Sequence, residues 1–326
     1  MKTPIVYTLI SSEKDYFLEE LWVSLYSLRQ FHPEVTVNVL VDEPTKKYVE
    51  RFPELCGMIT NIVVVPVPEN YNAKQRSRVI KTTVRNVIDG AYLFIDTDTV
   101  ICKPLDDIDN LTCDIAAVPD GHLPLSECMF PPTNSVNKIF KTDVSDSKYW
   151  FNSGVMFVAD NEQTRKFYKR WNENWTYSCF EKGQSQDQPA LLATDKEFGY
   201  IISELPGIYN AQVAMSLKYF ADAAIVHWWH MSFIENQDYS PFFSLQIYKD
   251  VKTAKGLTAD IKELIMHCKQ SFVSPTMPVG KEHIYFLFSP AGKIFNRIYK
   301  EGGAASFLMN KCAAILEKIH KYTKKK

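Results

Sequence analysis

Asp96 and Asp98 flank Thr97 directly after the apolar run AYLFI. Two carboxylates so placed at the exit of a buried strand can face one ion, and a divalent cation offsets both their desolvation and their mutual repulsion. A metal held by both would grip a diphosphate leaving group. The same pair supports a second chemistry, in which Asp96 is a nucleophile toward a phosphoryl group and Asp98 its acid/base. None of the 12 glycines are spaced as GxG, and there is no GxxxxGK[ST]. A dinucleotide fingerprint and a P-loop are therefore both excluded, and any phosphate must be held by side chains or by a metal.

Such a pair works only if the chain around it builds a rigid platform. Residues 4–10 (PIVYTLI), 35–41 (VTVNVLV), 59–65 (ITNIVVV) and 91–95 (AYLFI) read as buried strands. Between them, Phe17, Leu18, Leu21, Trp22, Leu25, Leu28 and Phe31 keep helical spacing, residues 45–52 are helix-like, and 74–89 form a basic helix. Strands alternating with helices indicate an α/β fold, a Rossmann-like, mostly parallel sheet flanked by helices. Ligands of such sheets lie beyond the carboxyl ends of the strands, where Thr8, Asp42 and Asp96 fall. After Asp96 the rhythm changes. Residues 114–118, 153–158 and 223–229 read as strands, 161–180 and 186–194 as helices, and from about 240 the pattern is helical.

The composition narrows the class. The chain has 326 residues, 46% apolar and 23% charged, with a net charge of −1. These are the proportions of a globular protein, and a near-neutral total argues against a nucleic-acid partner. Seven cysteines without a CxxC pair exclude a zinc ribbon and argue against a disulfide scaffold. The apolar stretch at the start is too short for a signal peptide, and no segment suffices for a membrane span, so a cytoplasmic protein is expected.

Seven short blocks then occur in an order that resembles glycosyltransferase family 8, the glycogenin and bacterial lipooligosaccharide galactosyltransferase group. They run over roughly residues 4–230: TLISSEKDYFLEELWVSLYSL, KTTVRNVIDGAYLFIDTDTVI, AAVPD, FNSGVMFV, SQDQPALL, LPGIYNA and AIVH. The resemblance implies a GT-A fold and a metal-dependent transfer of a sugar from a nucleoside diphosphate, UDP above all, to a hydroxyl of a glycan or glycolipid, with retention of configuration. It places Thr8, Leu9 and Tyr16 around the base and ribose, Thr97 beside them in the donor site, and Lys81 or Arg85 at the phosphates or sugar, with Arg78 one turn away. Asn152 and Asp120 would meet sugar hydroxyls. Asp187 and Gln188 match the DQ pair of the family, one of which would lie beneath the anomeric carbon. His227 matches a third metal ligand beside Asp96 and Asp98, and mixed nitrogen and oxygen donors suit Mn2+ or Mg2+. His230 is a fallback ligand.

FIDTDTVI also fits the first motif of haloacid-dehalogenase-type phosphatases, with Asp96 as nucleophile. That motif belongs on a first strand, however, and the later acidic motif is missing, since Asp106-Asp107 lies too close. A non-catalytic nucleotide-sugar or glycan-binding module is the other alternative. One departure from family 8 stands out. The family continues after its histidine as HxxGxxKPW, whereas this chain reads HWWHMSFIENQDY, so either another cation such as Lys218, Lys81 or Arg85 clamps the diphosphate or the metal acts more alone. The expected division is a catalytic domain, 1–240, and a helical C-terminal extension, 241–326. Residues 293–326 carry nine Lys/Arg against two Glu, which leaves −8 on the rest of the chain. Apolar residues alternate with that charge at helical spacing, a pattern that fits a solvated terminal helix and equally fits peripheral contact with an anionic membrane at its inner face.

Overall fold

The computed structural model describes residues 1–128, 132–228, 240–271, 286–301 and 303–323. The apolar runs become strands β1 (Ile5–Leu9), β2 (Val37–Val41), β3 (Asn61–Val64) and β4 (Tyr92–Ile95), parallel in the order β3-β2-β1-β4. Parallel strands covered by helices on both faces must be apolar throughout, and β2 and β4 are buried at every residue. Thr8, near the carboxyl end of β1, is the one residue of that strand that is only half-buried. The sheet continues as β4-β7-β6-β8, where β6 is Ile115–Pro119, β7 Phe151–Val158 and β8 Ile202–Glu204. Strand β7 is antiparallel to both neighbours, and β8 is parallel to β6. The sheet is thus mostly parallel, as the alternating pattern implies. A three-stranded sheet adds β5 (Thr99–Ile101), β9 (Ala211–Gln212) and β10 (Ile225–His227), in the order β5-β10-β9.

Successive side chains of a strand face opposite sides, and this sorts the core into two layers. Ile5, Tyr7, Leu9, Leu93 and Ile95 pack with α1 (Phe17–Phe31), while Val6, Tyr92 and Phe94 pack on the other face with α4 (Ala73–Val87) and α6 (Glu162–Lys182). Between α1 and α4 lie α2 (Glu43–Val49), capped by the Asp42 side chain, and the single turn α3 (Pro53–Cys56). Helix α4 starts on a reciprocal cap between Asn72 and Gln75. After it come α5 (Thr133–Phe140), then α6, and α7 (Gln188–Glu197), which opens with Pro189 in its first turn.

Two compact units are present, Met1–Ser274 and Pro275–Lys326. The described residues after 240 are mainly helical as expected, and their first long helices, α8 (Leu245–Ala254) and α9 (Ala259–Met266), pack on α1 within the first unit. The second unit contains α10 (Pro290–Glu301) and α11 (Gly303–Thr323). Ile294, Phe307, Leu308, Ile315 and Leu316 are each more than half exposed there.

Candidate active site

The turn that ends β4 is held from both sides. The Asp96 N–H donates to the Gly154 carbonyl at 2.7 Å, extending the pairing with β7, and Thr99 Oγ1 donates to the Asp96 carbonyl at 2.9 Å. Antiparallel pairing of β5 with β10 sets His227 opposite Thr99, and the Trp228 N–H donates to the Asp98 carbonyl at 3.0 Å. This closes the distance between residues far apart in sequence. Asp96, Asp98 and His227 each offer one ligand atom, all within 4.8 Å of one another.

His227 Nε2 lies 3.2 Å from Asp98 Oδ1, and its Nδ1 lies 2.9 Å from Asn210 Oδ1. Asn210 Nδ2 donates to Asn152 Oδ1 at 2.9 Å, so its amide oxygen is the atom left to accept from His227. That places a proton on Nδ1 and leaves Nε2, on the Asp98 side, as the atom that would meet a metal. The chain of bonds goes on. Asn152 Nδ2 and Gln188 Nε2 both donate to Asp120 Oδ1, at 2.9 and 3.1 Å. Gly154 makes this crowding feasible: a Cβ there would stand 2.4 Å from His227 Cε1, 2.8 Å from Asn152 Oδ1 and 3.0 Å from Asp96 Oδ2.

Burial raises the Asp96 carboxyl above the usual range, and the Asp98 charge adds to that, while Lys81 and His227 pull the other way. Lys81 Nζ lies 3.0 Å from both Asp96 oxygens, whose side chain remains 28% exposed. Two carboxylates and one imidazole could hold a divalent cation, whose charge would relieve the repulsion between the two aspartates.

Lys81 also connects this set to the start of α7, where its Nζ lies 4.0 Å from Asp187 Oδ2. Asp187 is buried, ion-paired with Arg78 at 2.9 Å, and accepts from Ser153 Oγ at 2.9 Å. Burial pushes its carboxyl up, but Arg78 and Lys81, with the Ser153 bond, outweigh that and hold it below the usual range. Asp120 goes the other way, raised by burial against the pull of its Asn152 and Gln188 bonds.

Asp96, Asp98, His227, Lys81, Asp187, Gln188, Asn152 and Asp120 are thus joined in one network of contacts. Thr97 sits within its turn, half-buried between the two aspartates, and Thr8 lies one residue before the end of the neighbouring strand β1. Tyr16 occupies the N-cap position of α1, half-buried, with the Lys252 ammonium 4.6 Å from its ring centroid. Two expected residues are placed elsewhere. Arg85 is fully buried, bonded to the carbonyls of Ile88, Gly90 and Ala159 and paired with Asp160, so it is spent on holding loops. A helix that follows β3 begins at the carboxyl edge of the sheet and runs away from it, so Arg78 rather than Arg85 reaches the site. Leu9 has its side chain 2% exposed in the core on the α1 side. Asp42 caps α2 and pairs with Arg76, and Lys218 is exposed with its ammonium over the Tyr219 ring. His230 lies outside the described residues.

Asn210 was absent from the sequence reading. Its only signal there is position, at the end of the LPGIYNA block, and the structure buries it completely.

Residues 8–232 match the sequence profile of the family described as glycosyl transferase family 8. A search of curated proteins returned no match. Among solved structures, the galactosyltransferase LgtC in complex with donor and acceptor sugar analogs superposes with a TM-score of 0.51 at 15% identity, covering 80% of this chain and 99% of that one. An active-site mutant of LgtC gives 0.52 at 16%, covering 80% and 100%. The apo bifunctional glycosyltransferase WbbM gives 0.51 at 13%, covering 81% of this chain and 51% of that one. At such identities the likeness is one of fold.

Proposed function

The chain belongs to glycosyl transferase family 8 and is a glycosyltransferase, and we propose that it moves a sugar from a UDP-sugar to a hydroxyl of a glycan or glycolipid, with retention of configuration. The observation that carries this reading is the convergence of Asp96, Asp98 and His227, within Lys81's reach of Asp187. A Mn2+ or Mg2+ ion held by those three residues would supply Lewis-acid stabilisation of the leaving diphosphate.

The remaining work falls to the chain's own groups. Lys81 and Arg78 bring positive charge to the same corner, where charge grows on the diphosphate as the glycosidic bond breaks, a preorganised electrostatic contribution. Lys81 takes the place of the lysine missing after His227. Asp187, kept ionised by those cations, stabilises positive charge at the anomeric carbon. Asn152 and Gln188 share Asp120 and are held in fixed orientation to meet sugar hydroxyls. Thr8, Thr97 and Tyr16 line the nucleoside side.

Phosphatase chemistry at Asp96 loses its support with family membership. A binding module without turnover differs from this reading in one result. UDP- and GDP-sugars with Mn2+, and a phosphomonoester alongside, separate the cases: release of UDP with transfer or slow hydrolysis supports the transferase, and UDP binding without turnover by any donor overturns it.

Among the described residues no helix is long and apolar enough to cross a membrane. Helices α10 and α11 expose Ile294, Phe307, Leu308, Ile315 and Leu316 in a segment rich in lysine. We propose that this unit lies on an anionic membrane surface at the cytoplasmic face, where each basic residue contributes about 1 kcal/mol.

A further inference from the structure

The loop between β1 and α1 lies at the carboxyl end of β1, beside β4 in the sheet. It is folded around Asp15, whose carboxylate accepts from Ser11 Oγ at 2.5 Å, Ser12 N at 2.9 Å and Ser12 Oγ at 2.8 Å. A second hold comes from outside. Lys252, on α8, sends its ammonium to the carbonyls of Glu13, at 3.1 Å, and Asp15, pairs with the buried Glu19 at 3.6 Å, and covers one face of the Tyr16 ring at 4.6 Å.

An ammonium has three protons to give, and these acceptors use its bonding capacity. Its location is unfavourable for the helix itself, since the N-terminus of α1 carries a partial positive charge that repels a cation. Lys252 therefore earns its place by what it does to the loop, with Glu19 offsetting the repulsion. Lys252 also lies beyond residues 8–232, the stretch that matches the family, so this hold comes from a part of the chain outside the family pattern.

We propose that Lys252 is a positioning residue of the donor site, fixing the loop of residues 11–16 so that the half-buried Tyr16 ring is held in one orientation toward the nucleobase. This rests on the assignment of Tyr16 to the nucleoside side. Lys252 touches no reacting atom, so its loss should weaken donor binding and leave the chemical step alone.

The test uses the full chain with Lys252→Met and Lys252→Arg. Hydrogen exchange of residues 10–18 reports the loop without any ligand. Calorimetry with UDP and Mn2+, and the KM and kcat for a UDP-sugar, report its consequence. The expected result for Lys252→Met is faster exchange confined to this segment, UDP affinity down by about tenfold, KM up to match and kcat within about twofold of wild type. Lys252→Arg, which keeps the charge and the donors, should restore most of the affinity. Unchanged exchange in Lys252→Met overturns the proposal, as does faster exchange with unchanged UDP affinity. A wild-type protein that binds no UDP overturns the donor reading itself, whereas normal wild-type binding that Lys252→Met leaves intact overturns only the role of Lys252.

Discussion

Lys81 holds its ammonium 3.0 Å from each carboxylate oxygen of Asp96, the first of the three residues that could bind a metal. The two cations, one built in and one recruited, would compete for the same charge. Lys81→Met should therefore raise affinity for Mn2+ severalfold, because Asp96 loses its competing partner, while turnover falls by about 100-fold for want of positive charge at the diphosphate. Calorimetric Mn2+ titration beside donor turnover checks both halves. A loss of both together would mean that Lys81 only supports the fold.

Asn210 fixes the ring of His227 through its amide oxygen. Asn210→Ala should lower Mn2+ affinity by about 10–100-fold, the usual cost of losing a partner behind a metal ligand. Manganese titration followed by paramagnetic resonance reads this directly, and an unchanged affinity would contradict the role given to Asn210.

Gly154 leaves no space for a side chain. In Gly154→Ala the added methyl would meet His227 Cε1 at 2.4 Å and Asp96 Oδ2 at 3.0 Å, so the ligands must move apart. Manganese binding should fall at least as far as in Asn210→Ala, with a lower melting temperature. Wild-type binding with normal melting would show that the cluster is looser than this packing requires.

Stability should depend on pH through Asp195, a carboxyl that the site does not use. Burial raises it to about 7, against the bonds it accepts from the Ile202 and Ile201 N–H groups. A group whose folded value lies above its unfolded value favours the folded state when protonated. Its contribution is full below about pH 4 and is lost as pH rises through 7. Asp195→Asn keeps an oxygen facing Ile202 and removes the titration. The variant should outlast wild type at pH 8 by a margin on the order of a few kcal/mol, closing toward pH 4, in melts across that range. Parallel melting curves for the two proteins at all pH values would contradict it.

Strand β1, which carries Thr8, and β4, which Asp96 follows, were readable because buried parallel strands are nearly continuous apolar runs, and such runs stand out between polar breaks. Strands β5 and β9 were not, since three and two residues make no pattern, and β5 is recognisable only through its pairing with β10. The Asp96/Asp98 pair was legible as chemistry from spacing alone. The choice between Arg78 and Arg85 was not, because both lie within a turn of Lys81, and only the direction of α4 relative to the sheet separates them. Leu9 and Thr8 are neighbours with opposite fates, since alternation along β1 turns one into the core. Asn210 needed the fold outright, as nothing local ties it to a histidine in another strand.

The C-terminal unit offers a separate test. If α10 and α11 bind a membrane, the full chain should sediment with vesicles containing anionic lipid and should be released by salt, while a chain ending at residue 274 should stay in solution. Equal sedimentation of both chains would exclude the basic segment as the anchor.

The central claim is that Asp96, Asp98 and His227 hold the metal on which sugar transfer depends. Its most direct test is the rate of UDP release from a UDP-sugar, measured with Mn2+ and again after chelation, in wild type, Asp96→Asn and Asp98→Asn. The expected result is release by wild type that chelation abolishes and Mn2+ restores, and a loss of about 1,000-fold or more in each variant. Wild-type turnover in both variants, or release by wild type that chelation leaves untouched, would contradict it.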